Sequence, residues 1–169
     1  MSGHQHPRQA PDVISCAVIT VSDTRTKATD KSGRVIIDSL DEACQRHDLY
    51  KIVKDDPSDI KAGIKEALET SVDVILLNGG TGIAERDVTI EIVDRMLDKE
   101  MPGFGELFRM LSYTEDIGSS AMLSRAIAGV IHGKAVFSMP GSSGAVRLAM
   151  SKLILPEIEH VVSELRKKQ

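Results

Sequence analysis

A glycine-rich segment in the middle of the chain carries residue types that bind phosphate. Residues 76–91 read LLNGGTGIAERDVTIE, in which GGTG at 79–82, the glycine segment, ends an apolar run. Glycine adopts positive φ and allows close backbone approach, and successive exposed N–H groups then form an anion site. The helix predicted after the segment adds partial positive charge at its N-terminus, and Arg86 adds a charged fork. The segment therefore predicts a cradle for phosphate.

The glycine segment does not match the two common nucleotide-binding motifs. A Walker A loop needs Gly-Lys followed by Ser or Thr, and no such triplet follows Gly82. Gly133 and Lys134 are preceded by the wrong spacing and continue into a predicted strand. A dinucleotide fingerprint needs a third glycine where this chain has Glu85. These differences argue against a P-loop NTPase and against a Rossmann-type NAD site.

Asp87 stands directly after Arg86, and its carboxylate has two interpretations. It is an N-cap candidate for the helix that begins near Val88, and Thr89 is a second candidate for that role. Alternatively, Asp87 holds Mg²⁺, because a carboxylate beside a bound phosphate repels it unless a cation lies between them. Mg²⁺ commonly takes one or two carboxylates together with substrate phosphates.

Two further polar loops contain candidate ligand-binding residues. Asp55 and Asp56 follow a predicted strand in the segment KDDPSD, where one of them supplies a second carboxylate or both belong to a solvated turn. The segment PGSSG at 140–144 is either a turn whose Ser142 or Ser143 caps the next helix, or a second anion site. The glycine segment and PGSSG, facing each other, would suit a ligand that is anionic at both ends.

Strands and helices alternate along the chain. Residues 13–21 and 72–77 are nearly continuous apolar and β-branched runs, typical of strands buried on both faces. The predicted strands are 13–21, 50–53, 72–77, 128–131 and 134–139, and the predicted helices are 33–47, 59–70, 88–97, 119–128 and 145–167, with a short helix after Pro102 and a bend at Pro156. This alternation predicts one α/β domain over residues 12–169, with helices on both faces of a mostly parallel sheet.

The predicted sheet brings the candidate loops together. Ligands of such sheets bind beyond the carboxyl ends of the strands. SDTR at 22–25 follows the first predicted strand, the glycine segment follows the second long one, and PGSSG follows the last. Three polar loops are therefore expected at one edge of the sheet.

Composition and charge exclude several classes of protein. The chain has 169 residues, which suits one domain with a sizeable core. Its net charge of −4 and its 3% aromatic content argue against a basic nucleic-acid face and a base-stacking platform. No segment is long and apolar enough to span a membrane, and the N-terminus lacks the apolar middle of a signal peptide. We therefore expect a cytoplasmic protein.

Two smaller features have simple interpretations. Residues 1–11 are predicted to be a flexible tail, in which a frayed terminus is favoured over a metal site at His4 and His6. Cys16 and Cys44 are far apart and form no CxxC pair, so both are predicted to be buried thiols in a reducing compartment.

Four motifs follow one another in a fixed order through the chain. GGTG followed by RDVT, then MPGFGELFR, AMLSRAIAG and MPGSSGAV, resembles the MoaB/MogA family of molybdenum cofactor biosynthesis proteins. The resemblance extends from about Val13 to the C-terminal helix, and YTEDIGSSAMLSR looks closer to the MoaB branch. It implies a three-layer α/β/α sandwich with a mostly parallel central sheet, assembled as homotrimers or as hexamers of two trimers.

The resemblance also implies an activity, the adenylylation of molybdopterin. ATP and Mg²⁺ are used, the terminal phosphate of molybdopterin attacks the α-phosphorus of ATP, and pyrophosphate leaves. Because both substrates are polyanions, positioning by N–H groups and cations should supply most of the catalysis. The alternative is a non-catalytic molybdopterin-binding carrier or scaffold for other proteins of the pathway. A kinase-like or nucleotide-sugar enzyme is disfavoured because the Walker A lysine is missing.

Residues are carried over from the family motif by motif. The metal-linked and catalytic aspartates fall on Asp87 and Asp55, with Asp56 as the alternative to Asp55. Arg86 stays a phosphate-binding candidate. The residues matching the loops for phosphate, pterin and the far end of the ligand are Ser22, Asp23, Gly79, Gly80, Thr81, Gly82, Gly141, Ser142 and Ser143. Glu106, Ser124 and Arg125 lie in matching motifs without distinct roles, and Arg125 is equally a candidate for an ion pair across a subunit interface.

Overall fold

The computed structural model describes residues 13–167, in which a six-stranded sheet lies between two layers of helices. The predicted tail at 1–11, with its two histidines, lies outside the described residues. The elements are β1 (Ser15–Val21), α1 (Lys31–Glu42), β2 (Arg46–Val53), α2 (Pro57–Leu68), β3 (Val74–Asn78), α3 (Thr89–Met96), β4 (Lys99–Glu100), α4 (Pro102–Glu115), a 3₁₀ helix (Gly118–Leu123), β5 (Ile127–Ile131), β6 (Lys134–Met139), α5 (Ser143–Ala149), a π-helical turn (Met150–Ile154) and α6 (Leu155–Arg166).

The sheet is mixed but mostly parallel, with the strand order β2-β1-β3-β6-β5-β4. β2, β1, β3 and β6 run parallel to one another, whereas β5 is antiparallel to β6 and β4 is antiparallel to β5. The predicted fold class, a mostly parallel sheet flanked by helices, is therefore confirmed. Because parallel strands end at the same edge, the loops after β1, β2, β3 and β6 leave the sheet together.

The apolar strands are buried on both faces, as their sequences predict. In β1, Cys16 and Val18 belong to the core shared with α1, α4, α5 and α6, while Ala17 and Ile19 belong to the core shared with α2 and α3. The same alternation continues through β3 and β6. Each fully buried aliphatic side chain contributes about 1.5–3 kcal/mol to the stability of the fold. The two cores therefore hold the strand ends, and with them the loops, in fixed positions.

Some helix predictions are wrong in detail. The helix predicted at 33–47 is too long, because α1 ends at Glu42 and Arg46 already belongs to β2. The helix expected at 119–128 does not form, because the 3₁₀ helix ends at Leu123 and the segment from Ile127 pairs with β6 in the sheet. The long helix expected at 145–167 is interrupted by the π-helical turn, and Pro156 lies in the first turn of α6. A proline is tolerated there because that turn needs no backbone donor.

The prediction for the two cysteines is half right. Cys16 is buried, and this burial raises the pKa of its thiol to about 12. Cys44 is exposed, which contradicts the prediction, since it lies beyond the end of α1 at a positive φ of 56°. Among residues 13–167 no helix is long and apolar enough to cross a bilayer.

A buried polar network joins the start of α1 to the end of β3. The Asp30 carboxylate caps α1 and accepts a hydrogen bond from the Tyr50 hydroxyl at 2.6 Å. The Asn78 amide accepts from the Ser32 hydroxyl at 2.9 Å and donates to the Thr20 hydroxyl at 2.9 Å. Because Asn78 directly precedes the glycine segment, this network fixes the segment relative to β1 and α1.

We expect Asp30→Asn to lower the free energy of unfolding by about 1–3 kcal/mol at neutral pH. Oδ1 accepts from the Gly33 N–H at 2.9 Å and Oδ2 from the Tyr50 hydroxyl, so an amide must turn its NH₂ group toward a donor. Burial raises the pKa of Asp30, but hydrogen bonds from Thr20, Tyr50, Gly33 and Ser32 outweigh it and hold the pKa below its ordinary value of 3.8.

The sign of the pH dependence follows from this lowered pKa. The ionised carboxylate stabilises the fold above pH 3.8, and the stabilisation is lost as the pH falls through the folded-state pKa. In urea unfolding, the difference between the native protein and Asp30→Asn should shrink from about pH 7 to about pH 3. A difference that stays constant over this range would contradict the role of the charge.

Candidate functional site

The loops after β3 and β6 pack directly against each other at the carboxyl edge of the sheet. A Cβ atom at Gly141 would lie 3.1 Å from the Cα atom of Gly79, so the contact depends on glycine. The Gly79 N–H donates to the carbonyl oxygen of Met139 at 3.1 Å. A Cβ atom at Gly79 would overlap the carbonyl oxygen of Val21 at the end of β1. The loops after β1, β3 and β6 therefore meet.

The glycine segment turns back on itself and leaves backbone donors free. Gly79 and Gly80 have positive φ values of 96° and 64°. The Gly80 carbonyl accepts a hydrogen bond from the Thr89 N–H at 3.1 Å, which joins the loop to the start of α3. Within the described part of the chain, the backbone N–H groups of residues 80–83 donate no hydrogen bond. Consecutive free donors of this kind are what an anion site needs.

Asp55, just beyond the carboxyl end of β2, faces the glycine segment. Its Oδ1 atom is buried without a hydrogen-bond partner and lies 3.1 Å from the position of a Cβ atom at Gly80. Burial raises the pKa of Asp55, the charges of Asp87 and Asp23 raise it further, and Arg86 opposes them. The Asp55 N–H also donates to Asp23 Oδ1 at 3.0 Å. Three carboxylates and one guanidinium are thus grouped at the glycine segment.

Asp87 does not cap α3, so the capping interpretation is wrong. The residue before the first turn is Val88, and no side chain caps this helix. The Asp87 carboxylate instead turns toward the glycine segment, where Oδ2 accepts from the Ala84 N–H at 3.1 Å and lies 2.5 Å from the position of a Cβ atom at Gly82. Thr89 does not cap the helix either, because its hydroxyl is buried beside Gly80 without a partner.

Asp56 has a different environment from its neighbour Asp55. Its carboxylate caps α2, where it accepts from the Ser58 hydroxyl at 2.5 Å and from the Ser58 N–H at 2.9 Å. These hydrogen bonds hold the pKa of Asp56 below its ordinary value. The cap of α2 is therefore Asp56, and the sequence-based prediction of Ser58 or Asp59 as the cap is wrong. Of the two adjacent aspartates, Asp55 is the one whose side chain faces the glycine segment.

Arg125 binds the glycine segment from inside the same chain. Its guanidinium donates to the carbonyl oxygens of Thr81 at 3.1 Å, Gly82 at 2.8 Å and Asp87 at 3.1 Å. It also forms an ion pair with Glu91 on α3. Sequence reasoning did not single out Glu91, and no local pattern could have paired it with a residue so distant in the chain.

The other predicted loop residues have structural roles of their own. The Ser22 hydroxyl accepts from two backbone N–H groups, those of Thr24 at 3.2 Å and Arg25 at 3.1 Å, and so shapes the loop after β1. Ser142 caps α5, as predicted for one of the two serines, and accepts from the Ala145 N–H at 3.2 Å. Ser143 is the first residue of α5.

Three predicted site residues form no side-chain hydrogen bond with the residues around the glycine segment. Arg86 is exposed, and among the described residues its side chain makes no hydrogen bond or ion pair, which leaves its fork free for a ligand. Glu106 is exposed on α4, and Ser124 is half-buried, with its N–H donating to the Ala121 carbonyl. Neither residue gains a distinct role from its position.

The part of the chain that forms this edge of the sheet matches a known protein family. The family model described as "Probable molybdopterin binding domain" matches residues 17–160, which include every loop described above. The chain belongs to the MoaB/MogA family. The family and the fold that the four motifs predict are thereby confirmed.

Individual relatives lie on the MoaB branch of the family. "Molybdenum cofactor biosynthesis protein B" of Bacillus subtilis is 58% identical over 168 residues, 99% of each chain. A crystal structure of a molybdenum cofactor biosynthesis protein B is 60% identical, covers 95% of this chain and 100% of its own, and superposes with a TM-score of 0.93. The crystal structure named "Molybdopterin biosynthesis enzyme MoaB", from Thermus thermophilus, is 32% identical, with coverage of 92% and 98% and a TM-score of 0.80.

Proposed function

We propose that this MoaB/MogA family member adenylylates molybdopterin with ATP in a Mg²⁺-dependent reaction that releases pyrophosphate. One observation carries the proposal. A buried carboxylate oxygen without a partner, Asp55 Oδ1, lies beside a row of free backbone N–H donors at 80–83. Free N–H groups attract an anion, whereas the carboxylates of Asp55 and Asp87 repel it. The two features suit one site only if a cation binds with the anion.

The residues present fit Mg²⁺ bound together with substrate phosphates. Among residues 13–167, no group of three His, Cys, Asp or Glu side chains is arranged to hold a metal alone. Mg²⁺ commonly uses one or two carboxylates and completes its shell with phosphate oxygens and water. Asp55 and Asp87 would supply these carboxylates, and the unpartnered Asp55 Oδ1 leaves a lone pair available. When bound, the ion would neutralise charge on the phosphates of ATP.

The chain itself would bind and align the two polyanions. The N–H groups of residues 80–83 and the free fork of Arg86 would bind phosphate oxygens, while the loop at Gly141 and Ser142 would hold the other end of the ligand. Ser22 and Asp23 would lie near the pterin. A terminal phosphate oxygen of molybdopterin then forms a bond to the α-phosphorus of ATP, and the bond to the departing pyrophosphate breaks. Positioning supplies most of such a rate enhancement.

Assembly into trimers or hexamers is part of the same proposal. The support in this chain is a row of exposed apolar side chains on α4, Leu107, Met110 and Tyr113, with Met122 and Leu123 exposed on the following 3₁₀ helix. Large exposed apolar patches commonly mark interfaces between chains. Light scattering of the purified protein tests this part, and a mass of one 18.3 kDa chain would contradict it.

Pyrophosphate release tests the proposed reaction. Purified protein is mixed with molybdopterin, ATP and Mg²⁺, and both pyrophosphate and adenylyl-molybdopterin are measured. We expect equal amounts of the two products, and we expect neither when a chelator removes Mg²⁺. If molybdopterin binds but no pyrophosphate forms, the protein is the non-catalytic carrier or scaffold instead. If molybdopterin does not bind, both functions are excluded.

A further inference from the structure

The guanidinium of Arg125 is almost fully occupied by partners within the chain. Nε donates to the carbonyl oxygens of Thr81 at 3.1 Å and Gly82 at 3.2 Å, and Nη2 donates to Gly82 at 2.8 Å and Asp87 at 3.1 Å. Nη1 contacts the carboxylate of Glu91. Since all three nitrogen atoms have partners in the chain, Arg125 is not a free fork for a substrate phosphate, unlike Arg86.

These hydrogen bonds determine which way the peptide groups of the glycine segment face. The peptide bonds of the described residues are trans, and in a planar trans peptide the C=O and the N–H point in opposite directions. When the carbonyls of Thr81 and Gly82 turn toward Arg125, the N–H groups of Gly82 and Ile83 turn away from it. Neither of these two N–H groups donates a hydrogen bond within the described chain. They are therefore aimed outward, away from the guanidinium.

The guanidinium is itself held in place by α3. Glu91 accepts from Nη1 and Nη2, and hydrogen bonding to Arg125 holds the pKa of Glu91 below its ordinary value. α3 is fixed in turn by packing of Val93 in the core. The carbonyl of Asp87 shares Nη2, so the backbone that carries the Asp87 carboxylate is tied to the same anchor. α3, the Arg125 guanidinium and the loop from Thr81 to Asp87 thus form one connected unit.

We propose that Arg125 is a positioning residue, which aims the N–H groups of Gly82 and Ile83 at a substrate phosphate and fixes the backbone of Asp87. The identity of that phosphate as part of ATP or molybdopterin rests on the function proposed above. The role depends on the planar fork of the guanidinium and not on its charge. A lysine carries the same charge as a compact ammonium group and cannot bind three carbonyls and a carboxylate in one plane.

Arg125→Lys and Arg125→Gln test the role, with Arg95→Gln as the matched control. Arg95 lies one helical turn beyond Glu91, is exposed, and makes no side-chain hydrogen bond or ion pair among the described residues. Its replacement by Gln therefore removes the same charge as Arg125→Gln without touching the loop. Thermal unfolding followed by circular dichroism first establishes that each variant is folded at the assay temperature.

Two measurements then separate positioning from general stability. Pyrophosphate affinity, measured by calorimetry with Mg²⁺ present, should fall about tenfold in both Arg125 variants, the loss expected for one charge-assisted hydrogen bond. Adenylylation should fall on the order of 100-fold in kcat/KM, the loss expected for a misplacement of about 1 Å. Arg95→Gln should match the native protein in both.

NMR spectroscopy reports directly on the N–H group of Gly82. With ¹⁵N-labelled glycine, pyrophosphate should shift the amide signals of Gly80 and Gly82 in the native protein. In Arg125→Lys at saturating pyrophosphate, the Gly82 shift should be reduced and the Gly80 shift kept, because the peptide before Gly80 does not bond to Arg125. An Arg125→Lys variant with native affinity and a native Gly82 shift would overturn the proposal.

The remaining outcomes keep this inference separate from the proposed reaction. If the native protein binds pyrophosphate and shows the Gly82 shift but forms no adenylyl-molybdopterin, the reaction fails and the positioning role is still decided by the variants. If the native protein turns over and folded Arg125→Lys turns over equally well, the positioning role fails and the reaction stands. If the native protein does not bind pyrophosphate in the presence of Mg²⁺, the N–H groups of Gly82 and Ile83 are not an anion site, and the inference is overturned.

Discussion

Asp55→Asn is expected to reduce turnover and Asp56→Asn is not, although the two residues are adjacent in the chain. Asp55→Asn should reduce kcat/KM for adenylylation by about 100-fold or more, because it removes a carboxylate that we propose holds Mg²⁺ beside the phosphates. Asp56→Asn should leave turnover near the native value, because this carboxylate is occupied at the N-terminus of α2. Pyrophosphate release under identical conditions measures both effects.

The two variants should also differ in stability, and here Asp56→Asn is the one expected to lose. Burial raises the pKa of Asp55, so its ionised form opposes folding above the ordinary value of 3.8. Asp55→Asn is therefore expected to unfold at an equal or higher temperature than the native protein at neutral pH. Asp56→Asn should unfold at a slightly lower temperature, because Asn caps a helix nearly as well as Asp but adds no charge there. A residue whose loss harms turnover and not stability has a functional role.

Asp87→Asn should behave like Asp55→Asn. An asparagine oxygen can still accept the hydrogen bond from the Ala84 N–H, so the loop keeps its shape while the charge that we propose binds Mg²⁺ is lost. Early unfolding of Asp87→Asn would assign the carboxylate to loop structure, and full turnover would exclude it from the site. Retained turnover in Asp55→Asn with lost turnover in Asp56→Asn would reverse the choice between the adjacent aspartates.

The sequence predicted the elements that are determined by local patterns. The apolar runs around Ile19 and Leu76 became the parallel strands β1 and β3, because side chains buried on both faces need apolar residues at every position. β2 is longer than the predicted 50–53, starting at Arg46, and it mixes polar and apolar residues. It lies at the edge of the sheet, where one side faces no neighbouring strand, so it needs no continuous apolar run.

Elements that depend on distant contacts were not predictable from such patterns. β4 has two residues, Lys99 and Glu100, and exists because they pair with β5. The segment at 119–128 has apolar spacing that suits a helix, but pairing of its last residues with β6 wins over local preference. Cys44 resembles a core residue by type, yet it lies past the end of α1, where the chain turns toward β2.

The candidate site was predictable as a set of loops and less so as a set of roles. The parallel order of the strands was enough to bring together the loops after β1, β3 and β6. The cap of α2 was predicted at Ser58 or Asp59, although Pro57, which favours the first helical position, is a local signal for Asp56. The ion pair between Arg125, just before β5, and Glu91 on α3 joins residues far apart in the chain and leaves no local signal.

A large loss of stability is expected from Gly80→Ala, with Gly133→Ala as the matched control. Both glycines have positive φ, 64° and 77°, and an alanine at such a position costs about 1–2 kcal/mol. Gly133 lies in the turn between β5 and β6 with open space around a Cβ atom, so Gly133→Ala should cost only that amount. Urea unfolding of the two variants measures the difference.

Gly80→Ala meets a second cost that Gly133→Ala avoids. A Cβ atom at Gly80 would overlap the Thr89 hydroxyl and lie 3.1 Å from Asp55 Oδ1. Thr89 is fully buried and cannot move aside, so overpacking adds about 1–3 kcal/mol. Out of a total stability that is typically about 5–15 kcal/mol, a combined loss of about 2–5 kcal/mol is large. Turnover should also fall, because the overlap displaces both the free N–H groups and Asp55.

A second substitution separates the two costs. Thr89→Ala removes the hydroxyl that a Cβ atom at Gly80 would meet, and this hydroxyl has no hydrogen-bond partner to lose. In the Gly80→Ala background, Thr89→Ala should therefore recover part of the lost stability, whereas it should recover none in the Gly133→Ala background. Equal losses from Gly80→Ala and Gly133→Ala, with no recovery, would mean that positive φ alone requires the glycine. The close approach of the loop to Thr89 and Asp55 would then have no part in selecting it.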